Sequence, residues 1–187
     1  MKNKNTKGFS MIELAVVVAI MAIMTAIIVP RYASYKNTKS LSYAKTQMVN
    51  DIRYAQTYTL STKKMPDASS PSGVSPTGGY GVHFEKGLST YVIFGDRIHG
   101  VDKPNHIYNA GSAENELFET VNLVEGVTIF DLKVNDISVP SGVVDYVSEP
   151  PYGKAFINDS NSNTLKIILK NSVGTTEVTI TSAGFIS

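Results

Sequence analysis

The chain has no cysteine in its 187 residues. That absence excludes disulfides, thiolate metal ligands and cysteine nucleophiles together. It leaves the compartment open, because an exported domain with a large enough core does without disulfides. No G-x-S-x-G occurs, and the serines fall in flexible or strand-like segments without a histidine and an acid at an interpretable spacing, so nothing points to a hydrolase. Neither a P-loop nor a G-x-G-x-x-G follows a strand pattern, which removes the usual phosphate cradle of nucleotide enzymes. These gaps point away from an enzyme. No internal repeat is visible, and the length suits one ordinary domain with an appendage rather than two full domains.

Basic residues are scarce where an exposed binding surface would need them. The formal net charge of +1 hides an uneven distribution. From Arg31 to Lys64 seven basic residues (Arg31, Lys36, Lys39, Lys45, Arg53, Lys63 and Lys64) stand against one acid, Asp51. From Met65 onward seven basic residues stand against fourteen acids. A nucleic-acid reader needs cationic contacts to phosphate, and an acidic C-terminal portion argues against that partner. A positive stem and a negative remainder have a second implication, attraction between neighbouring copies; simple solubility accounts for the same pattern.

The hydrophobic content is concentrated at one end. KGFSMIELAVVVAIMAIMTAIIVPRY, residues 7–32, is apolar from Phe9 to Val29 apart from Glu13 and a few small polar residues. As a helix that run is about 31 Å long, the thickness of a bilayer's hydrocarbon layer. It exceeds the apolar stretch of a secretory signal, and no A-x-A-like cleavage site follows it. A single membrane-spanning helix is the expectation. Lys2, Lys4 and Lys7 on one flank and Arg31, Lys36 and Lys39 on the other leave the positive-inside rule undecided about orientation. Glu13 needs its own account, because a carboxylate in a membrane helix costs about 2.5–3.5 kcal/mol on insertion scales. It either snorkels to the headgroups or has a partner. Cleavage between Gly8 and Phe9 would create an amine four residues before it, at the positive end of the helix dipole.

A short basic leader, Gly8, Phe9, Glu13, the apolar run and Pro30 together closely resemble the class III signal of bacterial type IV prepilins and type II secretion pseudopilins. The resemblance implies a prepilin peptidase that cuts after Gly8 and methylates the Phe9 amine, with the leader in the cytoplasm. It also implies that Glu13 neutralises the terminal amine of a neighbouring subunit as subunits stack, and that an inner-membrane assembly platform takes them from the lipid in which they wait.

Beyond Pro30, which predicts a bend, helix continues. Leu41, Ala44, Met48, Ile52 and Ala55 recur at steps of three and four and make one apolar stripe. Met65-Pro66-Asp67 ends the helix by Lys64 and opens a Ser, Pro and Gly stretch reaching Gly79. Eight strand-like segments follow, at 80–85, 89–95, 118–123, 126–134, 142–147, 154–158, 164–170 and 176–182, with hairpin connections expected at 85–87 and 158–163. The expected architecture is α+β: a long N-terminal transmembrane and assembly helix packed on an antiparallel all-β head. Its parts are a cleaved leader at 1–8, the membrane half of the helix at 9–29, its amphipathic half at 30–64, a flexible loop at 65–79 and the head at 80–187. This layout, with Arg53, Ala55 and Gln56 in the stem and TITSAGFIS at the end, is similar to the GspH/FimT group of minor pseudopilins and minor pilins. That group often carries a basic residue after the terminal Gly, where this chain has Phe185 after Gly184.

Metal chemistry has three weakly patterned candidates. His83 and Glu85 share a strand face but lack the further ligands a zinc site needs. Asp96, Asp102 and Asn105 in one loop, and Asp159 in NDSNSN, are oxygen-rich without EF-hand spacing, so calcium is a candidate ligand and no other cofactor is expected. The reading is a non-enzymatic subunit of a pilus or pseudopilus filament, single-pass in the bacterial inner membrane with its head in the periplasm or outside the cell. Its partners would be other pilin subunits. The alternatives are a minor pilin binding DNA in natural transformation and a membrane-anchored binding protein that never polymerises.

Overall fold

The computed structural model describes residues 8–67, 70–97, 104–110 and 116–187. One helix, α1, runs from Met11 to Leu60, about 75 Å at the standard rise. It begins two residues later than Phe9 because Ser10 is extended and caps it, its hydroxyl accepting from the Ile12 amide. At the other end the Ser61 amide donates to Thr57 and the Lys63 amide to Tyr58, while Thr62 takes φ 48°, so the last carbonyls are satisfied as the chain leaves. The helix is unbroken through position 30. A proline removes one backbone donor there without ending the helix. Thr25, Thr38, Thr46 and Thr57 each donate to the carbonyl four residues back, which satisfies hydroxyls on a helix that has few side-chain partners.

Among the described residues eleven strands follow: β1 (Met65–Asp67), β2 (Ser70–Val74), β3 (Gly79–Glu85), β4 (Thr90–Asp96), β5 (Leu117–Asn122), β6 (Thr128–Val134), β7 (Ile137–Ser138), β8 (Val143–Glu149), β9 (Lys154–Ile157), β10 (Leu165–Lys170) and β11 (Thr175–Ile180). All eight expected strands are present. β1 and β2 pair with each other inside the stretch expected to be a flexible loop, and β7 is a short addition. A five-stranded antiparallel sheet has the order β5-β4-β3-β8-β9, and a four-stranded one the order β11-β10-β6-β7.

The hairpin at 85–87 is found between β3 and β4. NDSNSN opens on a tight two-residue turn, with Ile157 and Ser160 bonding each other both ways around Asn158-Asp159, but it does not pair β9 with β10, which belong to different sheets. Asn158 and Asp159 both take left-handed φ, 48° and 59°, and Asn158 bonds the backbone of Asp145 through both its amide and its side chain. The Asx residues serve here to carry the chain from one sheet to the other.

Period-two alternation fixes which faces meet. Tyr80, Val82 and Phe84 of β3 and Val144 and Tyr146 of β8 point inward, as do Leu165, Ile167 and Leu169 of β10. The stripe Leu41, Ala44, Met48, Ile52 and Ala55 is buried among them, so one helix face closes both sheets. Polar groups at this seam are paired. The Thr59 hydroxyl accepts from the Tyr80 amide at 2.8 Å and donates to the Ser148 carbonyl at 2.9 Å. Gly81 is required for packing: a Cβ there would lie 2.4 Å from the Tyr146 carbonyl and 2.7 Å from the Phe94 ring.

Contacts between stem and head start at Asn37 and Ser40, which bond Ser172 and Asn171 in the β10–β11 turn. Below that level the helix stands alone. Phe9, Met11, Ile12, Leu14 and the apolar residues up to Val29 are all exposed.

Candidate functional site

The bare half of α1 is one candidate site. It is long and apolar enough to cross a membrane, and none of its apolar window is buried within the chain. Its exposed hydrocarbon therefore demands an environment that the head does not supply, either lipid or other helices. Phe9, 85% exposed, and Gly8 precede the cap, and a side chain at Gly8 would touch nothing within 4 Å. The Gly8–Phe9 bond thus lies on an open, non-helical lead-in to the helix. Glu13 follows in the first turn, exposed, where amide groups lacking helical partners make the terminus positive. Its carboxylate has no side-chain partner among the described residues.

Residues 3–29 match the model of the prokaryotic N-terminal methylation motif. The match indicates a type IV pilin-like prepilin. No curated protein and no solved structure matches the chain. The pilin-like reading agrees with the architecture: a single apolar N-terminal helix that fits a single-pass anchor, packed on antiparallel sheets. Proteins with this motif are structural rather than enzymatic, are processed by prepilin peptidase and assemble with other pilins.

The head holds the other sequence-marked residues. Asp96, at the end of β4, is buried, and its Oδ2 accepts the His106 amide at 2.9 Å while Oδ1 has no hydrogen-bond partner among the described residues. Burial pushes its carboxyl up to about 6, against the lowering effect of the His106 amide. Asp159 bonds the His106 ring Nδ1 at 2.7 Å. The far nitrogen of that ring lies 3.6 Å from a Glu149 oxygen, and the ring stacks on Phe156 at 3.9 Å. Asp96 and Asp159 are thus brought together, but around a histidine that both of them hold. Asn105 bonds the Ile107 amide two residues on, as an Asx turn does. Asp102 lies outside the described residues.

His83 and Glu85 do share a face of β3, yet His83 is committed to Asp145 through Nδ1 at 2.7 Å, and Glu85 is exposed. Among the described residues no group of three or more His, Asp or Glu side chains is placed to hold a metal.

Sequence reasoning passed over the part played by residues 104–110. Tyr108 lies against His83 and Phe94, and the Asn109 amide bonds Glu116, so this segment straps the outer face of the five-stranded sheet. The alternation of His106 and Tyr108 after Pro104 was the available signal; the partners on other strands were not.

Proposed function

We propose that this protein is a filament subunit of the type II secretion or type IV pilus kind, a minor pseudopilin or minor pilin similar to the GspH/FimT group. Prepilin peptidase would cut between Gly8 and Phe9 and methylate the new amine, leaving a mature chain that begins at Phe9. The subunit would wait in the bacterial inner membrane with its head in the periplasm, then be drawn by the assembly platform into a growing filament.

The observation that carries this reading is the fully uncovered apolar half of α1 with one carboxylate in its first turn, within the matched motif. In lipid that half is solvated by acyl chains, and in a filament neighbouring helices replace them, so transfer costs little in apolar contact. Glu13 differs, since a carboxylate inside a bundle needs a counter-charge. The methylated amine of an adjoining subunit supplies it, because methylation of the terminal amine retains the positive charge. Calcium remains a proposal for the head, where Asp159 is the exposed one of the described candidate acids.

Mass spectrometry of the protein from its native host tests the processing step. A mature N-terminus at Phe9 carrying one methyl group is expected. An intact precursor starting at Met1 would replace the filament reading with a plain membrane tether.

A further inference from the structure

Just above the apolar run, Arg31, Tyr32, Tyr35, Lys36 and Lys39 are all exposed. At about 100° per residue they fall within an arc of roughly 140°, and the centre of that arc lies about 180° around α1 from the buried Leu41, Ala44, Met48, Ile52 and Ala55 stripe. The head therefore leaves this face uncovered except at its Lys36 edge, where Lys36 lines a cleft with Val124, Glu125 and Gly126 of the head. Lys39 Nζ sits 5.5 Å over the Tyr35 ring, and among the described residues none of the three cations is paired with a carboxylate. Seven positively charged residues and one acid occupy the stem as a whole, so the stem does not compensate its own surplus, and Glu125 of the head shares a cleft only with Lys36 of the five.

Height above the membrane decides what this face meets. Counting from Val29, Arg31 stands about 3 Å, Tyr35 about 9 Å and Lys36 about 10 Å further along the axis. A headgroup layer is roughly 5–8 Å deep, and lysine and arginine stems reach several ångströms toward it. Lys39, about 15 Å up, still lies near enough for a lysine to reach down into the surface potential, which decays over roughly 8–10 Å. Tyrosines beside cations at the end of an apolar span are the side chains that settle at that depth, ring in the boundary and hydroxyl in water.

We propose that Arg31, Tyr32, Tyr35, Lys36 and Lys39 form a collar that binds anionic phospholipid headgroups in the leaflet beneath the head. The collar holds the unassembled subunit upright against the membrane and prevents the acidic head from drifting off a negatively charged surface. It depends on the helix spanning a bilayer and not on polymerisation, so it stands or falls separately from the filament reading.

The test uses the full chain, whose lack of cysteine allows a single label at Ser42→Cys, an exposed position that falls inside the same arc about one turn above Lys39 on α1. The labelled protein is reconstituted into vesicles of phosphatidylcholine, alone or mixed with phosphatidylglycerol, each carrying a headgroup-attached nitroxide quencher. Stronger quenching is expected with phosphatidylglycerol, returning to the phosphatidylcholine level at high salt. Each cation replaced by glutamine should weaken the enrichment on the order of fivefold, and Arg31→Gln, Lys36→Gln and Lys39→Gln together should abolish it. Equal quenching in the two lipids, or quenching indifferent to salt, overturns the proposal. So does cross-linking between Ser42→Cys copies that displaces the lipid signal, which would assign the face to a second copy of the chain. Should the triple variant fail to insert, the lipid and salt arms on the otherwise native chain still decide.

Discussion

The Gln56 carboxamide on the stem donates a 2.9 Å hydrogen bond to the carbonyl of Gly184 in the C-terminal tail. Its second N–H goes to the Tyr146 hydroxyl at 2.8 Å. One side chain thereby ties the helix, the five-stranded sheet and the tail. Gln56→Ala leaves an acceptor without a donor at each end and is expected to cost about 1–3 kcal/mol. Amide exchange checks it: the Phe185 amide, which donates to the Thr181 hydroxyl, and the Ser187 amide, which donates to the Thr179 carbonyl, should lose protection before the strands do.

Met48 and Ile52 are fully buried between stem and sheets. Ile52→Ala should destabilise the head by about 2–5 kcal/mol, since the site is walled by two sheets and cannot collapse. Ile20→Ala, on the bare half, should leave head stability within about 0.5 kcal/mol. Denaturant unfolding of both variants in detergent, followed by near-UV signal from the head tyrosines, makes the comparison.

Glu13→Ala and Glu13→Gln should both insert into membranes at least as well as the parent, because each removes the cost of a carboxylate in lipid. Incorporation into filaments should fall sharply for both. Fractionation of cells into membrane and sheared-filament pools separates the two effects; normal filament incorporation of either variant would show that the carboxylate has no assembly role.

Asp96 introduces a pH dependence with a definite sign. Its folded pKa of about 6 lies above the ordinary 3.8, so the folded state holds the proton more tightly. The group's contribution is fully favourable below the unfolded value and is lost as pH rises through the folded one. Asp96→Asn removes that loss while retaining an acceptor for the His106 amide. Relative to the parent it should gain on the order of 2–3 kcal/mol between pH 4 and pH 7.5. Melting curves across that range provide the check, and a constant difference between the two proteins would contradict the assignment.

DNA binding is a further measurable point. The full chain in neutral detergent should not retard duplex DNA at moderate salt, because the head is acidic by count and phosphate contacts dominate such affinity. Retention in a gel shift would revive the natural-transformation alternative.

Much of the architecture was legible because it is written in periodicity. The step from an apolar run to a three-and-four stripe at Leu41 and then to alternation at Tyr80 marks where lipid, sheet and strand environments begin, and the structure follows it. Pairing was less legible. NDSNSN does make the tight turn its composition announces, with Ile157 bonded to Ser160, yet the chain then passes to the other sheet, because Asn158 is held by the backbone of Asp145. Asp96 and Asp159 read as possible cation ligands while each was considered alone. His106, between them in space, turns both into its own hydrogen-bond acceptors. The stem's cations were visible as a count, but only helical angle showed that Tyr32 and Tyr35 stand among them and turn away from the head.

The tail that returns from Gly184 pairs with the outer edge of β11, Thr179 with Ser187 and Thr181 with Phe185. Along that stretch the strand offers no open amides for a neighbour to extend. A neighbouring head meeting that stretch would have to do so through side chains and not by adding a strand. The returning segment thus works as a guard along that border of the four-stranded sheet.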